Sequence, residues 1–263
     1  MKFPRLSRRQ FLAAALFAAP AAMAGDAIIE PTWLKISRLR VGTGPTTHRL
    51  VHFTDLHHKG DREYLQQVVA TINSLKPDFV CFTGDLLEDK QYLDETLELL
   101  AGIQYPLYGV PGNHDYWSRM PFGPVQKCFA KTGGAWLLNE QRITADGKVN
   151  IMGLTSGWKY EAMLARVSHP PQADLKNIML MHYPAWAKQF GDRKMDLLLA
   201  GHSHGGQVRL PLIGSLVTPF GVDGYDLGYF DSPAGPLYVG SGIGWFHLEV
   251  RFNCRPEITL IEV

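Results

Sequence analysis

Cysteine is scarce in this sequence: Cys81, Cys128 and Cys254 make an odd set of three, and none belongs to a Cys-x-x-Cys pair. At least one thiol is therefore free, and the spacing speaks against cysteine metal ligation. Cys81 lies in the apolar run Phe79–Phe82 and reads as a small core hydrophobe. A basic excess is also missing. The formal charge is +1, and without Met1–Ala24, which hold four bases and no acid, 22 basic residues face 25 acidic ones. Such a balance argues against a protein that tracks nucleic-acid phosphates, while a small phosphate-bearing substrate stays open. Internal repeats and low-complexity tracts are absent, so solenoid and disordered architectures drop out. No apolar run reaches the roughly 20 residues of an ordinary membrane-spanning helix.

What is present begins at the N-terminus. Ser7-Arg8-Arg9-Gln10-Phe11-Leu12 precedes an apolar run from Phe11 to Met23, and Ala22-Met23-Ala24 offers an A-x-A-like cleavage site. Paired arginines ahead of an Ala-rich run resemble a twin-arginine signal, with a plain anchor or a Sec signal as the alternatives. The expectation is residues 1–24 as signal, 25–47 as linker and 48–263 as one domain. Passage through the twin-arginine export machinery would place that domain in the periplasm or on the outer face of the inner membrane. Cleavage and retention of the signal both stay open.

Within 263 residues, 46% hydrophobic and 19% charged, one domain can bury a full core. Strand-like and helix-like stretches alternate from His48. His48–Phe53 reads as a strand, Leu65, Val68, Val69, Ile72 and Leu75 recur at helical spacing, and Lys76-Pro77 stops that helix. Further strands are predicted at Phe79–Phe82, Leu107–Val110, Asn150–Leu154, Asn177–Met181 and Asp196–Leu199, with a helix around Leu93, Leu97 and Leu100. The chain beyond Gln207 is rich in Gly and Pro with short β-like runs. This order predicts an α/β or α+β layered domain.

Nearly every predicted strand is followed at once by Asp, Asn or His: Asp55 and His57, then Asp85, Asn113-His114-Asp115, His182, and His202 with His204. Ligands of open α/β sheets bind beyond the carboxyl ends of the strands, so five loops deliver polar groups to one rim. Asp55-Leu56-His57 and Gly84-Asp85 say little alone. Gly112-Asn113-His114-Asp115 says more, and Gly201-His202-Ser203-His204-Gly205-Gly206 more again, because flanking glycines let backbone approach an ion closely. His48, His52, His169 and His247 read as structural histidines, and His58 as a rim residue.

Together these blocks resemble the calcineurin-like metallophosphoesterase family, in the family's order and over most of the chain after residue 48. His204-Gly205-Gly206-Gln207-Val208-Arg209-Leu210-Pro211 and Arg251–Ile258 are similar to its exported or membrane-associated bacterial branch. Two departures stand out: Ser203 where threonine is commoner, and Gly240-Ser241-Gly242 where a Ser-Arg-Gly is often seen. The resemblance implies a four-layer β-sandwich flanked by helices, with a dinuclear site at the carboxyl ends of the strands. It implies Asp55, His57 and His204 on one divalent ion, Asn113, His182 and His202 on another, and Asp85 bridging both. Such nitrogen and oxygen donors suit manganese, iron, zinc or nickel without choosing among them. Two ions ~3.5–4 Å apart lower the pKa of a bridging water and clamp entering and leaving oxygens, so a metal-bound hydroxide is the expected nucleophile. His114 is expected to face the phosphoryl oxygens or leaving group as acid or charge stabiliser, with Asp115 orienting its ring.

The expected activity is thus phosphodiester or pyrophosphate hydrolysis. A lipid-linked pyrophosphatase of the UDP-diacylglucosamine type is the alternative, with Trp33, Tyr116, Trp117, Phe122 and Trp245 as candidate groove aromatics. An inactive metal-binding scaffold is a remote third, since that history leaves gaps among ligands and none is found here. Specificity is expected from rim loops at Trp117–Pro124, Gly157–Pro171 and Pro219–Gly244.

Overall fold

The computed structural model describes Ala27, residues 29–155 and residues 170–263. The expected signal, His169 and most of the predicted rim loop 157–171 lie outside the described residues. The strands are β1 Lys35–Arg40, β2 Arg49–Phe53, β3 Phe79–Phe82, β4 Leu107–Gly109, β5 Ala135–Trp136, β6 Gln141–Ile143 and β7 Val149–Gly153. They continue as β8 Lys176–Leu180, β9 Leu197–Ala200, β10 Arg209–Leu210, β11 Gly214–Ser215, β12 Gly228–Ser232, β13 Gly235–Val239 and β14 Glu257–Glu262. One six-stranded sheet runs β1-β14-β2-β3-β4-β5, and the other runs β12-β13-β9-β8-β7-β6. In the first, β2, β3, β4 and β5 are parallel; in the second, β7, β8, β9 and β13 are. The carboxyl ends of both parallel sets therefore meet at one edge of the sandwich.

Side-chain alternation along each strand sorts the core into layers. Leu50, Phe79, Cys81 and Tyr108 of the first sheet meet Ile151, Ile178, Leu180, Leu197 and Leu199 of the second. Their neighbours Val51, Phe53, Val80 and Phe82 face outward, onto helices. Those helices are α1 Arg62–Ser74 and α2 Leu93–Leu100, followed by the short α3 Asn113–Trp117 and then α4 Phe122–Lys131. In α1 the Asp61 carboxylate accepts from Tyr64 N at 3.0 Å, capping the first turn, and Leu65, Val68, Val69 and Ile72 form its buried stripe. Met152, Met179, Met181 and Leu198, on the outer face of the second sheet, pack on Trp186 and Phe190. Among the described residues that face is covered by the 3₁₀ turn Pro184–Gln189 and not by an α-helix.

The stretch expected as a linker, 25–47, contains the 3₁₀ turn Glu30–Thr32 and strand β1, which pairs in parallel with β14 from Lys35 opposite Glu257 to Arg40 opposite Glu262. Lys35, Arg38 and Arg40 are exposed on this edge strand, where charge discourages pairing with another chain and also masks the strand in a hydrophobicity reading.

Candidate metal centre

Six loops converge where the two sheets end. Beyond β2, β3 and β9 the backbone turns sharply: Asp55, His57, Asp85, His202 and His204 have φ of 50°, 43°, 61°, 69° and 49°. Left-handed backbone costs about 1–2 kcal/mol per non-glycine residue, so it persists only where the surroundings fix it. Here Asp55 N donates to Gly84 O at 2.9 Å, His57 N to Asp85 O at 3.0 Å and Gly244 N to Asp55 O at 2.7 Å. His202 N donates to both Asp55 carboxylate oxygens at 3.0 Å. The approach leaves no room for side chains at two glycines. A Cβ on Gly201 would stand 2.3 Å from Asp55 Oδ2, and one on Gly84 2.5 Å from Gly112 N.

Seven side chains from these loops form two adjoining groups. Around the first, His57 Nε2 lies 3.0 Å from His204 Nε2, 3.9 Å from Asp55 Oδ1 and 3.5 Å from Asp85 Oδ2, and His204 Nε2 lies 3.5 Å from Asp55 Oδ1. Around the second, His182 Nε2 lies 2.9 Å from Asn113 Oδ1, 3.2 Å from His202 Nδ1 and 3.2 Å from Asp85 Oδ2. A cation with bonds of about 2.0–2.2 Å holds its ligand atoms at such separations. The other ring nitrogens explain the orientation. His57 Nδ1–H donates to Glu88 Oε1 at 2.6 Å, His182 Nδ1–H to Thr83 O at 2.8 Å and His202 Nε2–H to Phe220 O at 2.7 Å. Each partner fixes a tautomer whose lone pair points inward. Acceptor then faces acceptor across both groups, an arrangement that calls for cations. The residues fit two divalent ions, Asp55, His57 and His204 about one, Asn113, His182 and His202 about the other, with Asp85 reaching both.

Electrostatics agree at His202 and His204, whereas Asp85 biases the His182 ring towards its charged form, a pull that a cation shared with Asp85 would take over. Burial raises the pKa of Asp55, and Asp85 beside it pushes the same way. Burial also acts to raise Asp85, but His182 and His57 outweigh it and hold that carboxyl well below the usual range. His182 is pushed up to about 9: burial opposes its charge, and Asp85 overcomes the burial. Burial lowers His202 to about 3 and sends His204 well below 6.5, which keeps both as neutral, ligand-ready imidazoles.

His114 lies beside the first group, its ring centroid 4.6 Å from that of His57. Its expected partner is corrected by the structure. The Asp115 carboxylate does not reach the His114 ring; it accepts from the backbone N–H groups of Gly112, Asp85 and Leu86 at 2.8, 3.0 and 2.7 Å. Its position at the N-terminal turn of α3 aims it back into its own loop, so it ties the Asp85 and Asn113 loops together. Glu88 takes the ring-orienting role, with Oε2 accepting from His114 Nδ1 at 3.2 Å. Sequence reading missed Glu88, although a carboxylate three residues beyond Asp85 in the same loop was available to notice. The His114 pKa is raised: burial alone would lower it, but Glu88 and Asp85 outweigh burial.

Other expected histidines divide. His48 pairs with Asp146 at 2.8 Å and buried His52 meets Thr83 Oγ1 at 2.8 Å, both structural. His58 is buried, not on the rim, and pairs with Glu95 at 2.6 Å away from both groups. His247, read as structural, is exposed and lines the site groove beside Phe246. That groove, about 520 Å³, runs from Asp85, Asn113 and His114 along Val208, Leu216 and Val217. Its walls thus come largely from segments that the predicted rim loops did not include. An adjoining pocket holds Lys59, Glu88, Trp117 and Trp245. Of the other candidate groove aromatics, Tyr116 and Phe122 pack on each other at 5.2 Å, and Trp33 lies under Arg255. Ser241, at the departure from Ser-Arg-Gly, turns inward and donates to Arg255 O at 2.7 Å. Behind Asp55, wholly buried Arg251 donates to Ser241 O at 2.9 Å and Cys254 O at 2.8 Å, pinning that loop.

The sequence model of the calcineurin-like phosphoesterases matches residues 48–206, the stretch that carries all seven of these side chains. The chain belongs to that family. Like other metallophosphoesterases, it is a hydrolase of phosphoesters that works with divalent metals, and its two mixed α/β sheets are the family's fold. It is 32% identical to the metallophosphoesterase YkuE of Bacillus subtilis, over 97% of each chain. It is 26% identical to the phosphodiesterase YaeI of Escherichia coli, over 98% of this chain and 99% of that one. It is also 27% identical to the UDP-2,3-diacylglucosamine pyrophosphatase LpxG of Chlamydia trachomatis, over 89% and 90%.

Proposed function

We propose that this metallophosphoesterase is a phosphodiesterase that works outside the cytoplasm. Two groups of inward-facing acceptors sharing Asp85, with His114 beside them, support the metal-dependent hydrolysis in this reading. Bound there, two divalent ions supply Lewis acidity and an activated water. The chain's own residues do the rest. Asp55, Asp85, Asn113 and the four histidines His57, His182, His202 and His204 place the ions, and Thr83, Glu88 and Phe220 hold three of those rings in the ligating tautomer. His114, with Nδ1 engaged by Glu88, presents Nε2 to a leaving oxygen and can protonate it. Similarity to YaeI favours a diester over a monoester. The apolar wall of the groove, together with similarity to LpxG, supports a second reading, a lipid-linked pyrophosphate as substrate. The paired arginines Arg8 and Arg9 support export by the twin-arginine pathway.

The test is hydrolysis of bis-p-nitrophenyl phosphate and p-nitrophenyl phosphate after chelation and again after manganese is added, with Asp85→Asn alongside. Diester turnover restored by metal and absent in Asp85→Asn is expected. Turnover of the monoester alone would overturn the diester assignment, and turnover that survives chelation would overturn the metal assignment. Repeating the metal addition with zinc, iron and nickel, with the bound metal weighed by elemental analysis, selects the ion.

A further inference from the structure

Residues 210–222 hold no charged side chain, and the structure exposes several large apolar ones between 212 and 220 before Val222 returns to the core. Strands β10 and β11 form a hairpin whose tip carries Leu212 and Ile213, followed by Leu216, Val217 and Phe220. Relative exposures reach 108% at Leu212, 72% at Ile213, 75% at Val217 and 97% at Phe220. Consecutive apolar side chains this far from the core are a cost in water, and they mark an interaction surface. We infer that the hairpin inserts into the interfacial region of a lipid bilayer, and that this seats the metal groove against the membrane.

Three observations favour a bilayer over a protein partner. The hairpin pairs part of its own backbone, with Arg209 opposite Ser215, Leu210 opposite Gly214, and Ile213 N donating to Leu210 O at 3.3 Å. Burial in hydrocarbon penalises unpaired amide groups, and this turn limits them. The charge at its base is already neutralised, since Arg209 Nη1 lies 2.8 Å from Asp226 Oδ2. A narrow ridge of aliphatic side chains with a neutral base suits a fluid apolar medium better than a flat, polar-rimmed protein interface. Finally, Ala27 lies beside the base of the hairpin. Arg209 N donates to Phe252 O at 2.9 Å, and Arg251 N, next in the chain to Phe252, donates to Ala27 O at 3.1 Å. The apolar run Phe11–Met23 ends four residues before Ala27 in the sequence. Leu216 and Val217 line the groove itself, so a membrane that receives the tip lies at its mouth. The insertion stands apart from the substrate assigned above and would hold for a soluble or a lipid phosphoester.

The three native cysteines are buried, so a thiol placed on the hairpin takes a label selectively. Full-length Leu212→Cys carries a nitrobenzoxadiazole label, Ile213→Cys serves as a second site, and Glu98→Cys on α2 is the control. Each is mixed with phosphatidylcholine–phosphatidylglycerol vesicles. Expected are blue-shifted emission with a severalfold gain at 212 and 213, quenching by doxyl-labelled lipid, and no change at 98. A hairpin label that stays silent, whether or not the protein sediments with vesicles, overturns the proposal. So does a change that appears without vesicles and grows with protein concentration, which would mean that a second copy covers the hairpin.

Discussion

Glu88 touches two rings with one carboxylate, accepting from His57 Nδ1 at 2.6 Å through one oxygen and from His114 Nδ1 at 3.2 Å through the other. Its own pKa is held well below the usual range: burial would raise it, but the two histidines prevail. Removing it and removing His114 therefore have different consequences. His114→Ala is expected to keep both metals and lose about 10²–10⁴-fold in turnover of diesters with poor leaving groups, much less with p-nitrophenolate. Glu88→Gln keeps a hydrogen-bond acceptor for only one ring, so it should weaken metal binding through His57, about 10–100-fold, as well as slow turnover. Metal content by elemental analysis separates them. Metal loss in His114→Ala would make His114 a ligand and end its assignment as acid.

At the scale of elements, β2 carries a charge-sensitive residue outside both groups of candidate ligands. Burial holds His52 neutral, lowering its pKa from 6.5 to about 3, with Thr83 Oγ1 as its hydrogen-bond partner. Above pH 6.5 both folded and unfolded chains have this ring neutral. As pH falls from 6.5 to about 3 the unfolded chain takes up a proton that the folded chain refuses, and stability drops by a few kcal/mol at about 1.4 per unit. His52→Gln, compared with the parent in urea unfolding under chelator, should lose stability less steeply in that window, by close to one proton. Parallel slopes would refute it. His52 also shows what the sequence could and could not convey. The strands β2, β3, β8 and β9 were legible because continuous apolar runs with polar residues straight after them have few other uses. Strand β1 was not, because its exposed Lys35, Arg38 and Arg40 carry the signature of a linker while backbone pairing to β14, more than 200 residues away in sequence, makes it a strand. The seven clustered residues were visible for their type and their order along the chain. Glu88 and the true work of Asp115 were not, because which carboxylate meets which ring depends on the turn geometry at Asp85 and Gly112.

For the whole molecule, the two candidate ligand groups, with Asp115 behind them, gather three buried carboxyl groups at the seam of the two sheets. Asp55, Asp85 and Asp115 are each no more than 1% exposed. Burial pushes Asp115 up to about 7, and the neighbouring Asp85 adds to the shift. Seam loops joined by Asp55, Asp85 and Gly244 belong to both sheets, so cations bound there should stabilise the domain as a unit. Ligand binding to the folded state alone adds about 4 kcal/mol at a thousand times Kd, and a domain above 150 residues gains roughly 2–4 °C in Tm per kcal/mol. Chelation is accordingly expected to lower Tm by about 8–16 °C, with restoration on adding manganese, in scanning calorimetry at pH 7.5. Asp85→Asn removes the carboxylate that reaches both groups while Asn Oδ1 can still accept from His114 N, as Asp85 Oδ1 does at 2.8 Å. The chelator should then move Tm by a much smaller amount. An equal fall in parent and variant would mean that the cations stabilise the chain elsewhere, and that the seam is held by hydrogen bonds alone.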